Sequence, residues 1–222
     1  EVLKGISFSL RRGETLGIMG RNGAGKTTLL KIVSGIYPPD GGRVVNHEPV
    51  TPILGLGLGW SYELDAVDNI LIATTVMGMT LREAKSAVDE ILEFAGLSEF
   101  RGMPLRHYSA GMGERLAYST AFRAVRGILV MDEVLAVGDL AFRQRCQERF
   151  RELTAAGHAS VLVTHTPPQV AQFCERGLLL EDGRISLSGT GAEIAAAYTE
   201  RLGGGGAEIG SAPDAPEAAR SG

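Results

Sequence analysis

Gly20-Arg21-Asn22-Gly23-Ala24-Gly25-Lys26-Thr27-Thr28 fits the pattern G-x-x-x-x-G-K-[ST] along its whole length, and its surroundings suit it. Ahead of it, Thr15-Leu16-Gly17-Ile18-Met19 is a short apolar run of buried-strand character. Behind it, Leu29-Leu30-Lys31-Ile32-Val33-Ser34 continues as a helix that closes at Gly35. The three glycines allow successive backbone N–H groups to turn inward around a phosphate, where a side chain would clash. The helix N-terminus adds partial positive charge at the same point. Lys26 is placed to reach the β- and γ-phosphates of a nucleotide, and Thr27 to offer a hydroxyl to Mg²⁺. Strand, loop and helix together imply a nucleoside triphosphate site lined by residues 20–28.

A second stretch complements the first. Gly127-Ile128-Leu129-Val130-Met131 reads as a buried strand closed by Asp132-Glu133. An apolar run ended by two acids is a common surface turn when it stands alone. Downstream of a phosphate loop it gains a role: Asp132 holds Mg²⁺, and Glu133 serves as the general base that polarises the attacking water. Ser160-Val161-Leu162-Val163-Thr164 is another core strand, and His165 follows it directly.

The remaining pattern is that of an α/β chain with a helical insertion. Ile6-Ser7-Phe8-Ser9-Leu10 alternates like a half-buried strand, and Arg43-Val44-Val45 reads as a short one. From Asp68 to Arg126 the periodicity turns helical. Thr80 with Glu83 forms a capping box, Ala84, Ala87, Val88, Ile91, Leu92 and Ala95 share one face, and Gly96 closes the helix. A further helix is expected over Gly111 to Arg123. Asp139 is the expected N-cap of a helix that buries Phe142, Cys146, Phe150 and Leu153. Pro167 and Pro168 suit a first helical turn, and Asp182-Gly183 suits the turn of a hairpin. A last helix, about Ala192 to Arg201, runs into Gly203-Gly204-Gly205-Gly206. Residues 203–222 are expected to be a disordered tail or linker.

Composition narrows the classes. The 222 residues are 44% apolar, and 22 basic side chains against 26 acidic ones give a net charge of −4. No basic stripe marks a nucleic-acid footprint. Cys146 and Cys174 lie far apart and read as reduced thiols, and the scattered histidines suggest no metal cluster. No segment reads as a signal peptide or membrane span, so membrane work would need a partner.

Tyr108-Ser109-Ala110-Gly111-Met112, set just before a helix, resembles the L-S-G-G-Q signature of the ATP-binding cassette family. Ser109 and Gly111 are kept, while Ala110 and Met112 replace a glycine and a glutamine. The resemblance covers residues 1–200. It implies a RecA-like P-loop NTPase core with a small antiparallel β portion and an inserted all-helical subdomain at about 68–126, within a nucleotide-binding domain at 1–202. It also implies a homodimer in which two ATP molecules, with Mg²⁺, are sandwiched between loop and signature of opposite chains. Ser109, Ala110 and Gly111 would then contact the other chain's ATP, Asp139 would belong to the D-loop between the sites, and His165 would sense the γ-phosphate. Glu63-Leu64, Asn69-Ile70, Glu93-Phe94-Ala95-Gly96-Leu97 and Ala136-Val137-Gly138-Asp139-Leu140-Ala141-Phe142 are similar to the ATPases that export O-antigen, capsule or teichoic acid. The implied setting is the cytoplasmic face of the inner membrane, beneath an integral membrane permease that handles a lipid-linked polysaccharide.

Two departures from the family pattern stand out. No glutamine lies between the phosphate loop and the signature, its place falling at Leu56–Gly59, and no adenine-stacking aromatic is visible. Two other classes compete. A soluble cassette ATPase acting on ribosomes or DNA usually carries two cassettes, a coiled coil or a basic surface. A P-loop kinase of small molecules would leave Ser109–Met112 unexplained. The stretch Ile53 to Tyr62 alternates glycine with leucine and ends in Trp60 and Tyr62; these rings either anchor the permease or pack between the two subdomains.

Overall fold

The computed structural model describes residues 2–54, 59–132 and 138–204. Strands β1 (Thr15–Met19), β2 (Val50–Ile53), β3 (Ile128–Asp132), β4 (Ser160–Val163), β5 (Arg176–Glu181) and β6 (Arg184–Thr190) form one sheet. Its order is β2-β3-β4-β1-β5-β6, parallel throughout except for the antiparallel pair β5–β6. The central strands are apolar on both sides because both sides are covered. On one face Met19, Met131, Leu162 and Leu179 join Phe142 and Phe150 in a common core. On the other, Leu16, Ile18, Val130, Val161 and Leu178 pack with Leu29 and Leu30. The alternation along each strand is the pleat itself.

The helices are α1 (Lys26–Val33), α2 (Ala66–Val76), α3 (Leu81–Ala95), α4 (Ala110–Arg123), α5 (Leu140–Ala155), α6 (Pro167–Phe173) and α7 (Gly191–Gly204). Their ends are written in the sequence. At the close of α1, Gly35 takes φ 72° and donates to Ile32, while Ile36 donates to Lys31; this paired closure satisfies the last carbonyls. At the start of α3 both halves of the Thr80–Glu83 box form, and Gly96 ends the helix at φ 68°. Helices α2, α3 and α4 enclose a core of their own, with Ile70, Ile91, Leu92 and Leu116 fully buried. The tail expected from residue 203 falls largely outside the described residues; α7 itself continues to Gly204.

Two expected strands do not form, and one unexpected strand does. Ile6, Phe8 and Leu10 are half-buried against the sheet and Ser7 and Ser9 exposed, so the alternation is real, yet the segment forms no strand. It is held by the Lys4 N–H on the Gly183 carbonyl and by Arg184 and Arg176, which donate to the carbonyls of Lys4 and Ser9. Arg43-Val44-Val45 is no strand either, since both valines are exposed with no apolar surface to lie on. The antiparallel portion therefore consists of β5 and β6, turning at Asp182 (φ 47°) and Gly183 (φ 77°), the positive pair that a tight hairpin requires. Conversely, β2 escaped the sequence reading because Pro52 interrupts it. At the sheet edge a missing N–H costs no ladder bond.

Both cysteines are free and buried, and burial pushes each thiol up to about 12, which leaves them unreactive.

Candidate functional site

Strand register gathers the candidate residues at one edge of the sheet. Asp132 pairs with Val163, and Val163 pairs with Ile18, so Asp132 stands level with the end of β1, two strands or roughly 10 Å away. The loop after β1, the end of β3 and the turn after β4 thus open on the same side, at the carboxyl ends of parallel strands. This is where open α/β sheets place ligands.

The phosphate loop is tightly built. A Cβ on Gly20 would fall 2.3 Å from the Leu180 carbonyl oxygen, so only glycine permits the loop to lie against β5. Gly25 holds φ 102° at the N-cap of α1, which has neither a capping side chain nor an acid in its first turn. The first turn of α1 thus carries no acid of its own to cap these N–H groups, which suits an incoming anion. The Lys26 Nζ sits inside the ring of the loop, donating to the carbonyls of Gly20 at 2.7 Å and Arg21 at 3.0 Å. Thr27 donates its hydroxyl to the Asp132 carboxylate at 3.2 Å, joining residues 105 positions apart. A hydroxyl and a carboxylate converging beside a phosphate loop are hard oxygen donors of the kind Mg²⁺ prefers.

His165 is exposed just past β4, between the strands that lead to the loop and to Asp132. Its turn is set by a pair that sequence reading missed. The buried Thr164 hydroxyl donates to Gln169 at 3.0 Å and accepts from the Thr166 N–H at 3.0 Å. Glu133 lies outside the described residues, as do Leu56, Gly57 and Leu58 of the stretch where a glutamine was expected.

Ser109, Ala110 and Gly111 are not brought to this edge by the chain that carries them. They are exposed at the start of α4, where the Ser109 hydroxyl accepts from the Met112 N–H at 3.2 Å. Among the described residues nothing beyond the helix itself lies within 4 Å of a Cβ built on Gly111 or Gly113, so this helix end is open. Asp139 caps α5, accepting from the Phe142 N–H at 2.8 Å, and its second oxygen faces Arg115 of α4 at 3.7 Å. The two rings thought of as a unit separate: Trp60 packs half-buried on the helical core, whereas Tyr62 is 65% exposed.

Residues 3–136 match the family model described as ABC transporter. An ABC transporter protein of Aeromonas salmonicida is 38% identical over 85% of this chain and 61% of its own length. An O-antigen export system ATP-binding protein of Myxococcus xanthus is 38% identical over 90% of this chain and 46% of its own, so the chain spans roughly half the length of these relatives. A protein of the same description from Klebsiella pneumoniae is 36% identical, with 90% and 81% covered. Among solved structures, an ATP-binding subunit of an ABC transporter superposes with a TM-score of 0.78 at 24% identity, covering 90% of this chain and 88% of that one. A dimeric, post-hydrolysis ATP-binding cassette bound to ADP and Pi gives 0.73 at 23%, over 85% and 90%. With 134 matched positions (3 to 136) carrying the phosphate loop, Ser109 and Asp132 on this architecture, the chain belongs to the ABC transporter family.

Proposed function

We propose that this chain is the ATP-hydrolysing subunit of an exporter for a lipid-linked polysaccharide, working as a homodimer on the cytoplasmic face of a membrane beneath a separate permease. Relatives named for O-antigen export and, in Listeria, for teichoic acids export support the substrate class. Among the described residues no helix is long and apolar enough to cross a membrane, which suits a subunit that works through a partner.

The observation that carries the reading is the division of the site. Lys26, Thr27 and Asp132 converge at the phosphate loop, while Ser109, Ala110 and Gly111 present a second helix N-terminus outward. One chain supplies half of a sandwich, and a second copy supplies the other. Residues 20–28 grip the triphosphate through backbone N–H groups, with Lys26 on its β- and γ-oxygens. Thr27 and Asp132 would hold Mg²⁺, which would supply charge neutralisation at the β- and γ-phosphates. Glu133 takes the proton from the attacking water, and His165 orients the γ-phosphate. Asp139 lies where the two copies meet.

The test is MgATP turnover by the purified chain, with Lys26→Ala as control, followed by copurification with the candidate permease. Turnover abolished by Lys26→Ala and a retained membrane partner are the expected results. Turnover that survives Lys26→Ala would exclude the loop as the site, and absence of any membrane partner would redirect the reading to a soluble cassette ATPase.

A further inference from the structure

Helix α4 begins at the outward-facing Ser109 and runs inward, packed chiefly on α3 and meeting α5. Its inner turns are locked: Tyr118 and Phe122 share one core with Phe142 and Cys146, and Phe94 meets Phe142 edge-on at 5.9 Å. Burial, with lesser contributions from the neighbouring Cys146, Glu114 and Asp132, raises the Tyr118 phenol above its ordinary value. The outer turns are joined to α5 differently. Arg115, whose side chain is only 23% exposed, faces the Asp139 carboxylate at 3.7 Å. Asp139 spends its other oxygen on the N-cap of α5, and the preceding Gly138 is at φ 75°, with a built Cβ only 2.9 Å from the Phe142 ring. Among the described residues, the start of α5 is thus held by its own cap, by Phe142 and by Arg115.

Building on the proposed function, we infer that Arg115 is a positioning residue: it couples the Ser109 end of α4 to Asp139, so that engagement of the outward face is transmitted to the chain entering α5. The pair is too exposed, at 62% on the Asp139 side, to matter much for stability. Its value lies in adding a charged link between two elements that also meet through the apolar core of Tyr118, Phe122, Phe142 and Cys146. In the chain Asp139 follows the candidate base Glu133 by six residues, which makes hydrolysis, rather than binding, the step that should respond.

A double-mutant cycle tests this. Asp139→Asn keeps an N-capping oxygen and removes the charge, and Arg115→Ala removes the partner. Each is expected to lower kcat about three- to tenfold, with KM for ATP and Tm nearly unchanged, and the double variant is expected to fall no further than the worse single one. Arg115→Lys, which keeps the charge, should recover most of the loss. Unchanged kcat in Arg115→Ala, multiplicative losses in the double variant, or a fall in Tm that accounts for the lost activity each overturn the inference. A wild-type chain that turns over no ATP overturns the functional reading and this inference with it. An active wild type with unaffected variants overturns this inference alone.

Discussion

The phosphate-loop edge of the sheet and the Ser109 end of α4 are built from the same device, a helix N-terminus, and to opposite specifications. At the loop, Gly20 is pressed against the Leu180 carbonyl and Lys26 is bound to the loop's own carbonyls, while Thr27 meets Asp132. At α4, a Cβ built on Gly111 or Gly113 would meet nothing beyond the helix itself among the described residues, and the Ser109 hydroxyl accepts from its own helix turn. In the proposed reading the first is a half-site finished within one chain, and the second is a surface prepared for the other copy. Groups already bonded to one another hold a geometry in advance of the ligand, whereas groups that face outward gain their role only on contact.

The strongest test of that contrast acts at the finished site. Glu133→Gln is expected to keep ATP binding and to lower turnover by roughly a hundred- to ten-thousand-fold; single-turnover hydrolysis beside a nucleotide-binding titration reads both. Turnover within about threefold of wild type would remove Glu133 from the role of base. At the prepared surface, Ser109→Arg is expected to leave binding to the chain's own loop intact while cutting steady-state hydrolysis about tenfold or more. Mixed with Lys26→Ala, it should regain one working composite site, measured as activity of the heterodimer. If Ser109→Arg abolishes nucleotide binding by the monomer, the two sites are not separate in the way described.

Between these lies the helical core against which Trp60 packs. Trp60→Ala should cost about 2 kcal/mol, half of what a fully buried ring gives up, and lower Tm by about 4–8 °C. Tyr62→Ala, at an exposed position, should change stability by less than about 0.5 kcal/mol, and any defect it causes should appear in coupling to the membrane partner instead. Equal melting losses for both would restore the pair as one packed unit. The smallest effect is a pH dependence. Hydrogen bonds from Thr80, assisted by Arg126, hold the Glu83 carboxyl below its ordinary 4.5. The stabilisation this gives α3 is complete above that value and is lost as pH falls through the lower folded one. Melting curves collected downward from pH 5 should slope less steeply for Glu83→Gln than for wild type.

Local signals explain what could be read in advance. The loop, the Asp132 strand and several helix ends announce themselves in a few adjacent residues: glycines where φ must be positive, Thr80 three places before Glu83, and Asp139 before an apolar face. What stayed hidden depends on partners far along the chain. Ile6 to Leu10 carries a strand's alternation, but no ladder forms beside it, and Val50–Ile53 pairs with β3 despite Pro52 because it lies at the edge. Arg115 facing Asp139 and Thr164 holding Gln169 were likewise invisible, since single polar residues on a helix or a turn carry no period. The site residues are legible as motifs; their division between a finished edge and an outward face is a property of the folded chain.

Strand β4 stands between β1 and β3, so the gap between the phosphate loop and Asp132 is one strand wide and β4 alone fills it. The chain can therefore tolerate substitution in Ser160–Val163 far better than a change of length. Removing one residue would turn Val161 and Val163 to the opposite face, draw His165 back by a strand step of about 3.3 Å, and set Asp132 against a different neighbour. Drift in this part of the protein is free in chemistry within the apolar set and closed to insertions and deletions, because β4 acts as the spacer from which both halves of the site take their distance.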